Sequence, residues 1–175
     1  MTREQLEHLI RAAAVITDDD EIVIIGSQAI LGQFPEAPEP MRVSIEADLF
    51  PRNHPERADV LEGSIGELSP FHETFGYYAQ GVSEETAKLP QGWEERLVVI
   101  QNENTRGAKG LCLEVHDLLV SKTLAGREKD LAFLQAAARH SMADPETLLR
   151  RLATVEIEPE VREAARAAIE RAFRG

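Results

Sequence analysis

The sequence predicts an α+β fold: a mixed β-sheet with flanking helices, followed by a C-terminal helical extension. Three observations carry this. Short β-branched or alternating runs occur at 22–25, 42–49, 75–82, 96–100 and 108–114, interleaved in the first half with helical patterns. From residue 116 onward the pattern is helical throughout. Charge divides along the same line: residues 1–70 hold 14 acids and 5 bases, residues 71–125 hold 8 and 5, and residues 126–175 hold 9 of each. A length of 175 residues suits an α/β core over 1–115 with a helical region over 116–175 packed on it.

Residues 2–15 read as a helix, because Leu6, Leu9, Ile10, Ala13 and Ala14 recur at steps of three and four, and Thr2 supplies an N-cap. The polar run Thr17-Asp18-Asp19-Asp20 is a turn. Ile22-Val23-Ile24-Ile25, closed by Gly26, reads as a strand buried on both faces. Residues 27–33 suit a short helix that ends at the Pro-rich stretch 34–40. Residues 42–49 alternate: Val43, Ile45 and Ala47 on one face, Ser44, Glu46 and Asp48 on the other. A helix is expected over 56–65, a strand near 75–82 and a loop over 89–93. Strands at 96–100 and 108–114 flank an Asn- and Gly-rich turn and predict a hairpin. Helices follow at 116–126, 127–140, 145–154 and 159–173, the third capped by Asp144 with Pro145 at its first position.

Composition narrows the function classes. The net charge of −12 and the sequence pI of about 4.9 argue against a protein that works mainly by gripping nucleic acid or an anionic membrane, since both need a basic face. A hydrophobic fraction of 43% is enough for a core. The single cysteine, Cys112, lies in an apolar run and reads as a buried small hydrophobe. The first residues have no signal-peptide layout, and no apolar run reaches the ~18 residues of a membrane span, so the expected compartment is the cytoplasm, with no membrane partner. The five histidines form no H-x-x-x-H, and His116-Asp117 has no partner histidines at metal-binding spacing.

Two features carry chemistry. Gly26-Ser27 closes a buried strand where a helix begins; glycine lets a phosphate approach the backbone, and the helix start offers free N–H groups. Alone, this is an ordinary strand-turn-helix junction, and it is neither a P-loop nor a dinucleotide fingerprint. Glu46-Ala47-Asp48 places two carboxylates on one strand face with Cα atoms ~7 Å apart, close enough to converge on Mg²⁺. Alone, such a pair is a solvated strand face, although like charges on one face repel.

The ordered set resembles the nucleotidyltransferase superfamily (the polymerase-beta-like fold). It is most similar to the nucleotidyltransferase-like family DUF6036 and more distantly to AbiEii-type toxins of toxin–antitoxin systems. The residues that carry this are Ile24-Ile25-Gly26-Ser27-Gln28-Ala29-Ile30-Leu31-Gly32, then Ser44-Ile45-Glu46-Ala47-Asp48-Leu49, then 89–97, then 114–122 running into Arg127-Glu128-Lys129-Asp130, within residues 20–140. The resemblance implies transfer of a nucleoside monophosphate from an NTP to an RNA or protein acceptor. It implies that Gly26 and Ser27 hold the triphosphate and that Glu46 and Asp48 are catalytic and bind Mg²⁺. Lys122 and Asp130 match the Lys and Asp of the AbiEii-type pattern, which makes Lys122 catalytic and both nucleotide-binding. A place in a toxin–antitoxin pair follows from the same resemblance. Two departures exist: Glu46 stands where Asp is usual, and no third carboxylate lies on strand 96–100, leaving Glu103 and Glu114 as candidates by position. They support the alternative of a catalytically inactive binding or regulatory protein. Metal at the pair, with Arg96, Lys122, Arg127 and Lys129 as a basic patch beside it, leaves room for an RNA end in one cleft despite the net charge.

Overall fold

The computed structural model describes residues 1–175. The first helix, α1 (Arg3–Thr17), starts in a capping box: the Thr2 hydroxyl accepts from the Gln5 amide at 3.2 Å while the Gln5 side chain accepts from the Thr2 amide at 2.9 Å. Its apolar stripe, Leu6, Leu9, Ile10 and Ala13, is fully buried. Next comes β1 (Glu21–Ile24), the middle strand of a five-stranded sheet. It pairs antiparallel with β2 (Glu46–Pro51) and parallel with the strand Lys109–Cys112. A central strand is covered on both faces, so Ile22, Val23 and Ile24 are all buried, as the continuous apolar run requires.

Between β1 and β2 the chain makes a 3-10 turn over Ser27–Ala29, a single helical turn α2 (Ile30–Gln33) and a further 3-10 turn over Glu39–Met41. After β2 come α3 (Ala58–Ile65), α4 (Pro70–Phe75) and β3 (Tyr78–Gly81), which lies parallel against the outer edge of β2. The expected hairpin is present: β4 (Val98–Ile100) runs antiparallel to β5 (Lys109–Cys112). The strand order is β3-β2-β1-β5-β4. Four helices complete the chain: α5 (Val115–Ala125), α6 (Glu128–Arg139), α7 (Pro145–Leu152) and α8 (Pro159–Phe173). With eight helices and a mixed sheet, the fold is α+β as expected. No helix is long and apolar enough to cross a membrane.

Two elements differ from the sequence reading. The strand expected over 42–49 begins only at Glu46. Upstream, the chain's own N-terminal ammonium takes the carbonyls of Arg42 and Ser44, and the Ser44 hydroxyl bonds the backbone of Glu46. No strand lies beside this stretch, since β3 begins opposite Glu46 and β1 ends at Ile24. Val43 and Ile45 are exposed by 75% and 48%, so the apolar face foreseen for this segment starts at Ala47. The other difference is α4, in a stretch the sequence reading left without helical pattern. Its signals are local: the Ser69 side chain caps the His72 amide, Pro70 opens the helix and Gly76 closes it in the left-handed region at φ +82.

One apolar cluster of 41 buried residues runs from Met1 through both halves of the chain to Ile169. Within it, α5 packs on α6, α7 and α8 and also touches the Ser27–Ala29 turn, while α6 touches the Glu39–Met41 turn. The helical region thereby faces the end of β1 and the start of β2, and a cleft opens between them.

Candidate functional site

The cleft is built on a contact between two segments twenty residues apart. Beyond the end of β1, the Ile25 amide donates to the Asp48 carbonyl at 3.0 Å, so the chain leaves the sheet beside the acid pair. Gly26 follows. A Cβ on Gly26 would stand 2.5 Å from Asp48 Oδ2 and 2.9 Å from Asp48 Cβ. Only glycine lets the carboxylate lie directly on the turn. The helix behind the turn is one turn long, so its dipole is slight and the expected help from a helix N-terminus is small.

Glu46 and Asp48 point from β2 into this space, as the period of two dictates. The Tyr78 hydroxyl on the neighbouring β3 donates to Glu46 Oε2 at 2.8 Å and fixes that carboxylate; burial, then this bond, raises the phenol above its usual range. Asp48 Oδ1 is buried with no partner. Burial, then a hydrogen bond shared with Glu46 and its charge, pushes the Asp48 carboxyl up to about 7, against the opposing pull of Lys122 and Arg127.

The facing wall comes from the helical region. Lys122 of α5 lies 3.4 Å from Asp130 Oδ1 and 5.8 Å over the ring of Phe133. Burial lowers its pKa, and the Asp130 charge works against that. Asp130 is buried at the first turn of α6 and also accepts from Arg127 Nε at 2.7 Å. Burial would raise the Asp130 carboxyl, but the Arg127 bond and the two cations hold it below the usual carboxylate range. Lys129 is exposed, lines the cleft and makes no ion pair. The cleft measures about 300 Å³. It brings together Ser27, Glu46, Asp48, Lys122 and Asp130, with Gly26 beneath Asp48.

Other expected residues lie elsewhere. Arg96, foreseen in a basic patch, instead grips buried Asp117 with two bonds of 2.8 and 2.9 Å and does not line the cleft. Glu114 caps α5 and pairs with His116 and Arg151, and Glu103 sits exposed on the β4–β5 turn, so neither is a third carboxylate here. His116 uses Nδ1 on Glu114 and Nε2 on the Asp144 amide, so both ring nitrogens are occupied. Cys112 is fully buried, as read from its apolar run, and burial pushes its thiol up to about 12. A larger cavity of about 460 Å³ between the 84–93 loop and Thr154–Glu156 holds Trp93 among Glu84, Glu85, Lys88 and Glu156. Sequence reasoning missed two side chains at the cleft: Tyr78 as the hold on Glu46, and the wholly buried Gln28. A strand-pairing register would have found the first, since Glu46 stands directly across from Tyr78. Nothing in the sequence signals the burial of the second.

A family model described as a nucleotidyltransferase of unknown function (DUF6036) matches residues 4–172. The chain belongs to that family. In this DUF6036 chain the match spans the sheet and all eight helices almost to their ends. No curated protein and no solved structure matches it.

A divalent cation would find two carboxylates without an ion pair in this cleft, Glu46 and Asp48. No three His, Cys, Asp or Glu side chains converge to hold a metal ion by themselves. Mg²⁺, however, is commonly held by one or two carboxylates together with substrate phosphates and water. The pair Glu46 and Asp48, which line the cleft with one Asp48 oxygen buried and unpartnered, fits that mode of binding.

Proposed function

We propose that the cleft binds a nucleoside triphosphate with Mg²⁺ and transfers its nucleoside monophosphate to an acceptor, an RNA end or a protein side chain. The observation that carries this reading is the seating of Asp48 on Gly26, which joins the acid pair and the Gly-Ser turn into one surface opposite Lys122, Arg127 and Lys129. Glu46 and Asp48 would hold the metal. When bound, it would neutralise phosphate charge and activate the acceptor oxygen. The chain's own residues do the rest. Ser27 offers a hydroxyl to the phosphate chain over a glycine that leaves the backbone open. Lys122, a point charge held by Asp130, faces the same space, and Arg127 and Lys129 extend the cationic wall to the rim. In the transfer, the acceptor oxygen bonds to the α-phosphorus, the α–β bridge breaks, and pyrophosphate and the acceptor proton leave.

A second reading, nucleotide binding without transfer, is favoured by one observation. The third acid of the cleft, Asp130, is committed to Lys122 and Arg127 and is not free to act beside Glu46 and Asp48. The toxin–antitoxin expectation finds no residue here that supports it and has no part in the proposal.

Two measurements test the proposal together. Mg²⁺ with an NTP is expected to raise the melting temperature by ligand linkage, and Glu46→Ala with Asp48→Ala to abolish the rise. Label from α-³²P NTPs is expected in RNA, tRNA or protein acceptors. A melting shift without label in any acceptor selects the second reading; a double variant that binds as tightly as wild type overturns the site.

A further inference from the structure

We propose that Gln28 is the positioning residue of this cleft: its buried amide holds the Ser27 hydroxyl so that the hydroxyl proton is offered to the bound phosphate. The inference rests on the nucleotide reading above. Gln28 is fully buried, on the turn that follows Gly26. Its Nε2 lies 3.2 Å from Ser27 Oγ and 3.5 Å from the Met41 carbonyl oxygen. The Met41 carbonyl fixes which way the amide points, because the flipped amide would set two carbonyl oxygens against each other. Ser27 Oγ therefore accepts from Gln28. A hydroxyl that accepts on one side directs its own proton elsewhere, and Ser27 makes no donor bond of its own within the protein. That proton is left for the cleft that Ser27 lines.

The remaining atom of the amide shows what this arrangement sets aside. Gln28 Oε1 is buried without a partner, and the only other buried side-chain atom in that condition is Asp48 Oδ1 in the same cleft. A folded chain leaves few such groups. The polarity of Gln28 serves the cleft as well as the link to Met41. The amide also joins the Ser27 turn to the Glu39–Met41 turn, which α6 touches, so the phosphate-facing hydroxyl is referenced to the wall that carries Asp130.

The test is a double-mutant comparison read by binding of Mg²⁺ with each of the four NTPs and by melting of the ligand-free protein. Gln28→Met gives up the long bond to Met41 but also removes an unpartnered buried oxygen, so it is expected to melt close to the wild-type temperature yet bind about tenfold more weakly, as loss of one hydrogen bond to a charged group implies. Ser27→Ala is expected to lose a similar factor, and adding Gln28→Met to Ser27→Ala to lose nothing further. Unchanged affinity in Gln28→Met, or a loss that persists in full in the Ser27→Ala background, overturns the inference while leaving the nucleotide reading in place. A wild-type protein that binds none of the four overturns both. Should Gln28→Met fail to fold, Gln28→Asn, one methylene too short to reach Ser27, is compared in the same way.

Discussion

Asp48 is where the chain concentrates its chemistry at the scale of a single residue. Its carboxyl is pushed up to about 7 by burial and by Glu46. The folded protein thus holds a proton that the unfolded chain releases near pH 4. Stability from that proton is present below about pH 4 and is lost as pH rises through about 7. The melting temperature of the ligand-free wild type should therefore fall between pH 5 and 8 relative to Asp48→Asn; a gap that does not change with pH contradicts this. Gly26 gives a second prediction. In Gly26→Ala, a Cβ 2.5 Å from Asp48 Oδ2 must displace the carboxylate. The variant should lose about 1–3 kcal/mol in urea unfolding and bind Mg²⁺ with an NTP at least tenfold more weakly. Retention of full binding would show that Asp48 does not need its seat on the turn. The period of a strand made the shared face of Glu46 and Asp48 legible in the sequence. The contact of Asp48 with Gly26 was not legible, because it depends on β1 and β2 being neighbours. The place of Gln28 was not legible either, since burial is a property of the fold and not of the residue type.

Elements show where pattern succeeds and where it is overridden. The helices of the C-terminal half fall within two residues of their expected bounds, and two carry a clear start signal: the Asp144 cap before Pro145 at α7, and Pro159 at the first position of α8. Strand β2 starts late because its partners end there: Tyr78, opposite Glu46, is the first residue of β3, and β1 stops at Ile24. Helix α5 illustrates capping joined to charge. Glu114 accepts from the His116 amide at 3.0 Å and pairs with His116 and Arg151, tying α5 to α7. Burial alone would raise this carboxyl, but His116 and Arg151 outweigh it and hold the pKa at about 2. Stability from Glu114 is present above the usual carboxylate range and lost as pH falls through about 2. Glu114→Gln should cost about 1–3 kcal/mol at pH 7, and its deficit should narrow as pH falls from 5 toward 2. A deficit that stays constant over that range would assign the cost to packing and not to charge.

For the whole molecule, the net charge of −12 takes a different meaning from the one the composition suggests. Three cations, Lys122, Arg127 and Lys129, face Glu46, Asp48 and Asp130 within the cleft, so the acidic excess lies outside it. A nucleotide entering the cleft would meet balanced charge, while a long duplex would meet an acidic surface. The cleft also needs both halves of the chain. Gly26, Ser27, Glu46 and Asp48 come from the sheet side, and Lys122 and Asp130 from α5 and α6. Leu118, Leu119, Leu134 and Leu148 belong to the same buried cluster as Ile24 and Leu31. A chain ending at residue 115 should therefore show no cooperative urea transition, whereas a sharp transition would mark the α/β part as self-sufficient. If the acid pair and the Gly-Ser turn form one metal-nucleotide site, crystals grown with Mn²⁺ and a non-hydrolysable NTP and recorded at the manganese absorption edge should show an anomalous peak between Glu46 and Asp48, with the phosphate chain against Ser27 and Lys122. Nucleotide bound elsewhere, or a cleft without manganese at saturating concentration, would contradict it.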